Sequence, residues 1–243
     1  MKFVEHLMTP EKLLVIWQIM NLQNNENNGK RFVVGEVRAE NGNWLLEYYD
    51  NEDTKEARTH EQFSGMTAYP YEAGKIYNGN VKDILSKRIA SPSRSDYPEY
   101  LRSYRLPPEQ AGNLSTMQIL AYTRGELTGD GFSFFPDLEN MMPPFDLVIE
   151  IAGFRHCDGM EIQPIQSLLG KEVRFVPEPE NDKDPDAIAI YTGETKLGYV
   201  PRGYSQYFAH HALGRYDIAA SITKINGTLE RPKISALVQV MPK

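Results

Sequence analysis

The feature that most constrains the fold is a proline-rich break near the middle of the 243-residue chain. Three prolines interrupt the segment PDLENMMPPFD (136–146), and neither a helix nor a central strand continues through such a run. A chain of this length is long enough for two ordinary domains. We therefore expect one domain over residues 1–140 and a second over residues 145–243.

The segment before the break begins with strand-like runs. LLVIW (13–17), RFVVGEV (31–37) and WLLEYY (44–49) are rich in residues that favour strands. The dipeptide Asn41-Gly42 before the third run is typical of a two-residue hairpin turn. These runs predict a small sheet at the start of the first domain.

A polar loop at 21–30 separates the first two predicted strands, and helical signals follow the third strand. GNVKDILSKRI (79–89) carries apolar residues at spacings of three and four. Ser115 precedes another helical run as a candidate N-cap, and Gly125 follows it as a candidate C-cap. A small sheet followed by short helices indicates an α+β domain.

After the break, short strand-like runs dominate and one helix, at 203–214, interrupts them. The runs end in a hairpin and come at short intervals, at residues 145–154, 171–177, 187–191 and 196–200. This pattern predicts a small OB-like β-barrel with one helix, of the kind that binds oligonucleotides across an open face. The fold class of the whole chain is therefore α+β.

Charge and composition limit the possible partners. The net charge is −7, with 15 Lys/Arg against 21 Asp/Glu in residues 1–146 and 11 against 12 in residues 147–243. Because phosphate binding depends on where cations cluster, any nucleic-acid contact should be small and local to the second part. No run approaches the roughly 20 apolar residues that cross a bilayer, and the N-terminus lacks signal-peptide features. We expect a cytoplasmic protein with no membrane partner.

The motifs of common enzymes are missing from the sequence. It has no GxxxxGKS loop, no HExxH and no GxSxG, so we expect a non-catalytic protein without a cofactor. The sequence also offers two candidate metal sites, one for a divalent cation and one for zinc. The acidic run from Glu178 to Asp186 is able to bind a divalent cation and so support a nuclease, although such runs are more often solvated turns. Zinc-competent side chains also occur, namely His156, Cys157, His210 and His211, but adjacent helical histidines point roughly 100° apart.

Three short motifs in the second part present polar side chains at turns. They are GFRHCDG (153–159), ENDKDPDAIAI (180–190) and KLGYVPR (196–202), in that order. Each has an ordinary structural explanation: Arg155 and His156 as solvated loop residues, Asn181 and Asp184 as turn residues that bond their own backbone, and Tyr199 as a core residue.

Together the three motifs resemble the HIRAN domain, a small β-rich module that occurs alone in bacteria and in some DNA-remodelling and fork-repair enzymes. The resemblance implies recognition of single-stranded or frayed DNA ends, in DNA repair or replication-fork processing. It assigns Arg155 and His156, the latter where Tyr is more usual, to the pocket for a terminal nucleotide. It has Asp184 accept a bond from a terminal 3′ hydroxyl.

The same resemblance adds four further candidates for DNA contact, namely Asn181, Lys183, Tyr199 and Arg202. Lys183 stands where relatives often carry an aromatic residue, and its charge can meet phosphate. Tyr199 is a possible stacking platform, and Arg202 is the best candidate for a phosphate contact. The predicted nucleic-acid-binding set is Arg155, His156, Asn181, Lys183, Asp184, Tyr199 and Arg202.

The pattern of the first part resembles the N-terminal subdomain of HipA-type kinases. The resemblance is carried by its early strands and by a helix, a glycine and a strand that follow one another around 117–136. A free-standing version of that subdomain acts as an antitoxin. The resemblance implies a protein-interaction module, and the rest of the kinase is absent from the sequence. The alternative function is therefore an antitoxin-like or adaptor protein that binds a HipA-type kinase or another protein. An unrelated α+β domain is the structural alternative.

Overall fold

The computed structural model describes residues 2–19, 30–127 and 129–243, so most of the polar loop predicted at 21–30 lies outside the described residues. The chain forms two compact units. One unit is Thr9–Asp137, and the other combines Met1–Met8 with Leu138–Lys243.

The first unit is built on a five-stranded sheet of order β6-β3-β2-β1-β7 whose neighbouring strands are all antiparallel. Its strands are β1 (Lys12–Gln18), β2 (Arg31–Glu40), β3 (Asn43–Tyr48), β6 (Ile76–Tyr77) and β7 (Phe132–Pro136). A two-stranded ribbon, β4 (Gly65–Met66) with β5 (Tyr69–Pro70), lies outside this sheet. The predicted hairpin turn is confirmed, because Asn41 and Gly42 both have positive φ, 50° and 82°, between β2 and β3.

The described part of the first unit also contains four short α-helices, α1 (Glu52–Ala57), α2 (Val81–Ser86), α3 (Tyr97–Ser103) and α4 (Thr116–Thr123), and a 3₁₀ helix at Pro108–Asn113. The predicted cap of α4 is confirmed as a capping box. The Ser115 hydroxyl accepts a bond from the Gln118 amide at 3.1 Å, and the Gln118 side chain accepts one from the Ser115 amide at 3.0 Å. The helix ends at Arg124, with φ of 62°, one residue before the predicted Gly125.

The second unit contains two three-stranded antiparallel sheets, of orders β11-β10-β9 and β12-β13-β8. The strands are β8 (Phe145–Glu150), β9 (Arg174–Pro177), β10 (Ile188–Thr192), β11 (Thr195–Tyr199), β12 (Asp217–Gly227) and β13 (Pro232–Met241). The predicted helix is α5 (Arg202–Tyr207), which continues as a π-helical turn at Phe208–Ala212. Isolated bridges at Ala152↔Tyr199 and Glu172↔Ser221 link the two sheets.

The predicted barrel is not confirmed, because the described strands form small separate sheets instead of one closed wall. Part of the reason lies between the first two strands of the unit. There the chain folds into three 3₁₀ turns, at Phe154–His156, Asp158–Glu161 and Ile165–Leu168, which pair with no neighbouring strand. The mixed helix and strand content agrees with the α+β class.

The N-terminal residues belong to the second unit through a buried carboxylate. The Asp146 side chain is fully buried and accepts bonds from the backbone amides of Glu5 at 2.7 Å and His6 at 3.3 Å. The Asp146 amide in turn donates to the His6 carbonyl at 2.8 Å. The first unit is thus inserted between two pieces of the second, and its first and last strands lie side by side, with the Asp137 amide bonded to the Lys12 carbonyl at 3.1 Å.

No helix in the described ranges has the length and apolar character needed to span a membrane.

Candidate nucleic-acid interface

A glycine allows β11 to approach the chain that leaves β8. Gly198 has φ of +143°, and a Cβ added there would overlap the Ala152 carbonyl oxygen and lie 2.7 Å from Ile151 Cγ2. Ala152 and Tyr199 exchange two backbone bonds across this approach, of 2.9 and 2.8 Å. The ring of Tyr199 therefore lies beside Gly153, at the start of the turn that carries Arg155 and His156.

A β-bulge at the same place brings two side chains of β11 to one face. Gly198 pairs with Ile190 and Lys196 pairs with Tyr191, so Leu197 is the extra residue. Because the bulge shifts the alternation by one, Lys196 and Tyr199 emerge together while Leu197 is fully buried. The Lys196 ammonium lies 4.3 Å from the centre of the Tyr199 ring and donates to its hydroxyl at 2.7 Å.

Three side chains converge on Glu178, which follows β9. Its carboxylate accepts bonds from Lys196 at 2.6 Å, from the Tyr199 hydroxyl at 3.0 Å and from the Asn181 amide at 3.2 Å. We call Glu178, Asn181, Lys196 and Tyr199 the Glu178 cluster. Desolvation acts against both charges, but the mutual hydrogen bonds prevail, lowering the pKa of Glu178 and raising the pKa of Lys196.

Arg155 and His156 lie together in their 3₁₀ turn. Arg155 Nε donates to His156 Nε2 at 2.9 Å, so that ring nitrogen is the acceptor. The His156 side chain is exposed and Arg155 is half-buried. An exposed imidazole beside a guanidinium can stack on a base, although over a smaller area than a tyrosine ring.

The loop between β9 and β10 is held by its own polar side chains. Asn181 accepts a bond from the Lys183 amide at 3.0 Å, and Asp184 accepts one from the Asp186 amide at 2.9 Å. These are the hydrogen bonds expected of Asn181 and Asp184 as ordinary turn residues, which need no ligand. Lys183 is exposed at the tip, and Asp186 is bonded to His210 of the π-helical turn at 2.7 Å.

The remaining candidate, Arg202, is the exposed first residue of α5. Among the predicted residues, Asn181 donates to the Tyr199 hydroxyl at 3.4 Å, and Arg155 donates to His156. Two members of the cluster were missed by the sequence reasoning, Glu178 and Lys196. The available signal was Gly198 inside a strand pattern, since an isolated strand glycine often marks a bulge that changes which side chains share a face.

The zinc-competent residues are not gathered into a metal site in the part of the chain that the structure describes, where no group of three or more potential ligands occurs. His210 is bonded to Asp186 and His211 stacks on Tyr207, with ring centres 5.9 Å apart. Burial raises the pKa of the Cys157 thiol, so the thiol is protonated at neutral pH and a poor nucleophile. The chemistry that this surface offers is stacking, hydrogen bonding and ion pairing.

A surface of this kind on a small β-rich unit is typical of an oligonucleotide-binding module. The family model described as "HIRAN domain" matches residues 144–239. This match supports a HIRAN domain in the second unit, as the three motifs predicted, while the HipA resemblance of the first part has no such support.

Two solved structures are similar to about two fifths of the chain. A protein from Lactobacillus plantarum is 21% identical, with 39% of this chain and 91% of that chain covered and a TM-score of 0.33. The HIRAN domain of human HLTF is 13% identical, with 40% and 77% covered and a TM-score of 0.32. A search of curated proteins finds no match to this chain.

Proposed function

We propose that the second unit binds nucleic acid and recognises single-stranded or frayed DNA ends. The observation that carries this proposal is the HIRAN match over residues 144–239, the segment that contains all seven candidate residues. The family is known for DNA binding. The second unit is nearly neutral and carries a local polar and aromatic surface, which suits a binding domain better than an enzyme.

Each candidate then has a role in holding a strand end. The exposed ring of His156 stacks on the terminal base. Arg155, Lys183 and Arg202 contact phosphates. Asn181 and Tyr199 supply hydrogen-bond donors to the strand, and the Asp184 carboxylate accepts from a free 3′ hydroxyl but repels a 3′ phosphate.

Under this proposal the protein is a non-catalytic, cofactor-free component of DNA repair or replication-fork processing in a bacterial cytoplasm. The acidic loop is largely committed to structure: Glu178 is paired with Lys196 and Asp186 with His210. That commitment argues against its use as a nuclease metal site.

The test is fluorescence anisotropy of a labelled strand of about ten nucleotides, within the usual site size of such modules, ending in a 3′ hydroxyl or a 3′ phosphate, at two salt concentrations. We expect the full chain to prefer the 3′ hydroxyl and Asp184→Ala to lose that preference. Asp182→Ala is the matched control, since Asp182 is an exposed carboxylate of the same loop. Equal, weak binding of both ends, unchanged in Asp184→Ala, would rule out end recognition.

A second candidate function is protein binding through the first unit, antitoxin-like or as an adaptor for a HipA-type kinase. The acidic excess in residues 1–146, 15 Lys/Arg against 21 Asp/Glu, favours it because such a surface suits a basic protein partner better than nucleic acid. Affinity purification of the tagged chain from its native cells tests this function. Recovery of DNA without a stable protein partner counts against it.

A further inference from the structure

The carboxylate of Glu178 occupies the focus of three hydrogen-bond donors. Lys196 Nζ lies 2.6 Å from Oε1, and the Tyr199 hydroxyl and Asn181 Nδ2 lie 3.0 and 3.2 Å from Oε2. Three donors that converge on two oxygens of one anion are also the donor set that binds a phosphate group. All three donors lie in the polar motifs of the second part, Asn181 in ENDKDPDAIAI and Lys196 and Tyr199 in KLGYVPR, and Asn181 and Tyr199 were already candidates for nucleic-acid contact.

The charge of the donors fits one kind of phosphate. Without the carboxylate, one ammonium and two neutral donors remain, with a single positive charge. A phosphodiester in a nucleic-acid backbone carries a single negative charge, whereas a terminal phosphate carries up to about two. The side chains of Lys196 and Glu178 are 21% and 26% exposed, so the donors are partly shielded from water yet open to a ligand.

We propose that Asn181, Lys196 and Tyr199 form a binding site for one backbone phosphate, which Glu178 occupies in the free protein. The incoming phosphodiester takes over the three donors, and the Glu178 side chain turns out to solvent. Glu178 thereby weakens binding to any strand that offers a phosphate alone and no further contact. The nucleic-acid source of the phosphate rests on the proposed function, whereas the anion site itself does not.

The first measurement uses inorganic phosphate and the full chain, with Glu178→Ala compared with the wild type. Calorimetry at constant ionic strength follows the transition of the second unit as phosphate replaces chloride. We expect phosphate to stabilise Glu178→Ala and to leave the wild type unchanged. Glu180→Ala is the matched control, because it removes an exposed carboxylate two residues away. Adding Lys196→Ala to Glu178→Ala should abolish the response.

The second measurement uses the labelled strand of the anisotropy assay. Glu178→Ala should bind it about tenfold more tightly than the wild type, the size of one added bond to a charged group. Glu180→Ala should leave the affinity unchanged.

The outcomes separate the two proposals. If phosphate stabilises Glu178→Ala alone but no variant binds DNA, the anion site stands and the proposed function fails. If the wild type binds DNA and Glu178→Ala behaves like Glu180→Ala in both measurements, the anion site is refuted and the proposed function stands. Should Glu178→Ala not fold, Glu178→Gln, which keeps the side-chain volume, takes its place under the same criteria.

Discussion

Replacing Gly198 with alanine should disrupt the approach of β11 to Ala152 that assembles the candidate interface. The added Cβ would overlap the Ala152 carbonyl oxygen and lie 2.7 Å from Ile151 Cγ2. The backbone there has φ of +143°, a conformation that alanine avoids. A rotamer change relieves neither close contact, because the Ala152 oxygen belongs to the backbone and Ile151 Cγ2 belongs to the β-branched side chain next to it.

The expected cost can be built from its parts. A non-glycine residue in such a conformation costs about 1–3 kcal/mol. Separation of the strands also weakens the two bonds between Ala152 and Tyr199, each worth about 1 kcal/mol net. The sum is about 3–5 kcal/mol, and at about 4 °C for each kcal/mol in a domain of this size the transition should fall by more than about 10 °C.

Gly193→Ala is the matched control. Gly193 lies in the turn between β10 and β11, has a positive φ of 53° and would find nothing within 4 Å of an added Cβ. Its substitution carries only the backbone penalty of about 1–2 kcal/mol. The difference between the two variants therefore isolates the close approach.

The assay follows the thermal unfolding of the full chain by calorimetry and by tryptophan fluorescence. Both tryptophans, Trp17 and Trp44, lie in the first unit, so fluorescence identifies its transition and the remaining transition belongs to the second unit. Gly198→Ala should lower the second transition only, and should weaken strand binding more than Gly193→Ala does. If it lowers that transition no further than the control, our account of the close approach is wrong.

Three further predictions concern other parts of the molecule. Ser115→Ala removes the capping box of α4 and should lower the stability of the first unit by about 1 kcal/mol in urea unfolding followed by tryptophan fluorescence. The hydrogen bonds that lower the pKa of Glu178 stabilise the second unit at pH values above the ordinary pKa of a glutamate. This stabilisation is lost as the pH falls through the lowered pKa. Glu178→Gln should therefore flatten that part of the plot of the second unit's transition temperature against pH. Lys183→Tyr should tighten strand binding by about 1 kcal/mol or more through stacking at the exposed loop tip, and a Lys183→Leu variant that binds equally well would contradict this.

Local signals in the sequence predicted local structure well. The Asn41-Gly42 turn requires positive φ at both residues, and few residue pairs adopt it as readily, so its place was readable. The box around Ser115 was readable for a similar reason, since both partners lie within one turn of chain. In each case the stabilising contact lies within three residues.

The composition of the interface was only partly predictable. Strict alternation in a strand places Lys196 and Tyr199, three residues apart, on opposite faces. The bulge at Leu197 reverses that result, and it forms because β11 meets Ala152, a residue more than 40 positions away in the sequence. The pairing of Glu178 with Lys196 depends on the same event. A period-2 pattern contains no information about it.

The predicted barrel is not confirmed for a related reason. Short strands at regular intervals are common to barrels and to stacked small sheets, and closure depends on which edges meet. The GFRHCDG motif was expected to follow a strand directly, but Gly153, with φ of 73°, starts a 3₁₀ turn instead. Two isolated bridges then replace continuous pairing between the sheets.

The discontinuity of the second unit has a practical consequence for dissecting the protein. A fragment cut at the family boundary, residue 144, would leave the Asp146 carboxylate buried without the amides of Glu5 and His6, a defect worth several kcal/mol. Excising 9–137 and rejoining the flanks through a few residues should be far gentler, because Lys12 and Asp137 are already neighbours and the loop to be closed is short. We therefore expect the spliced polypeptide to fold on its own more readily than a continuous fragment that begins at residue 144.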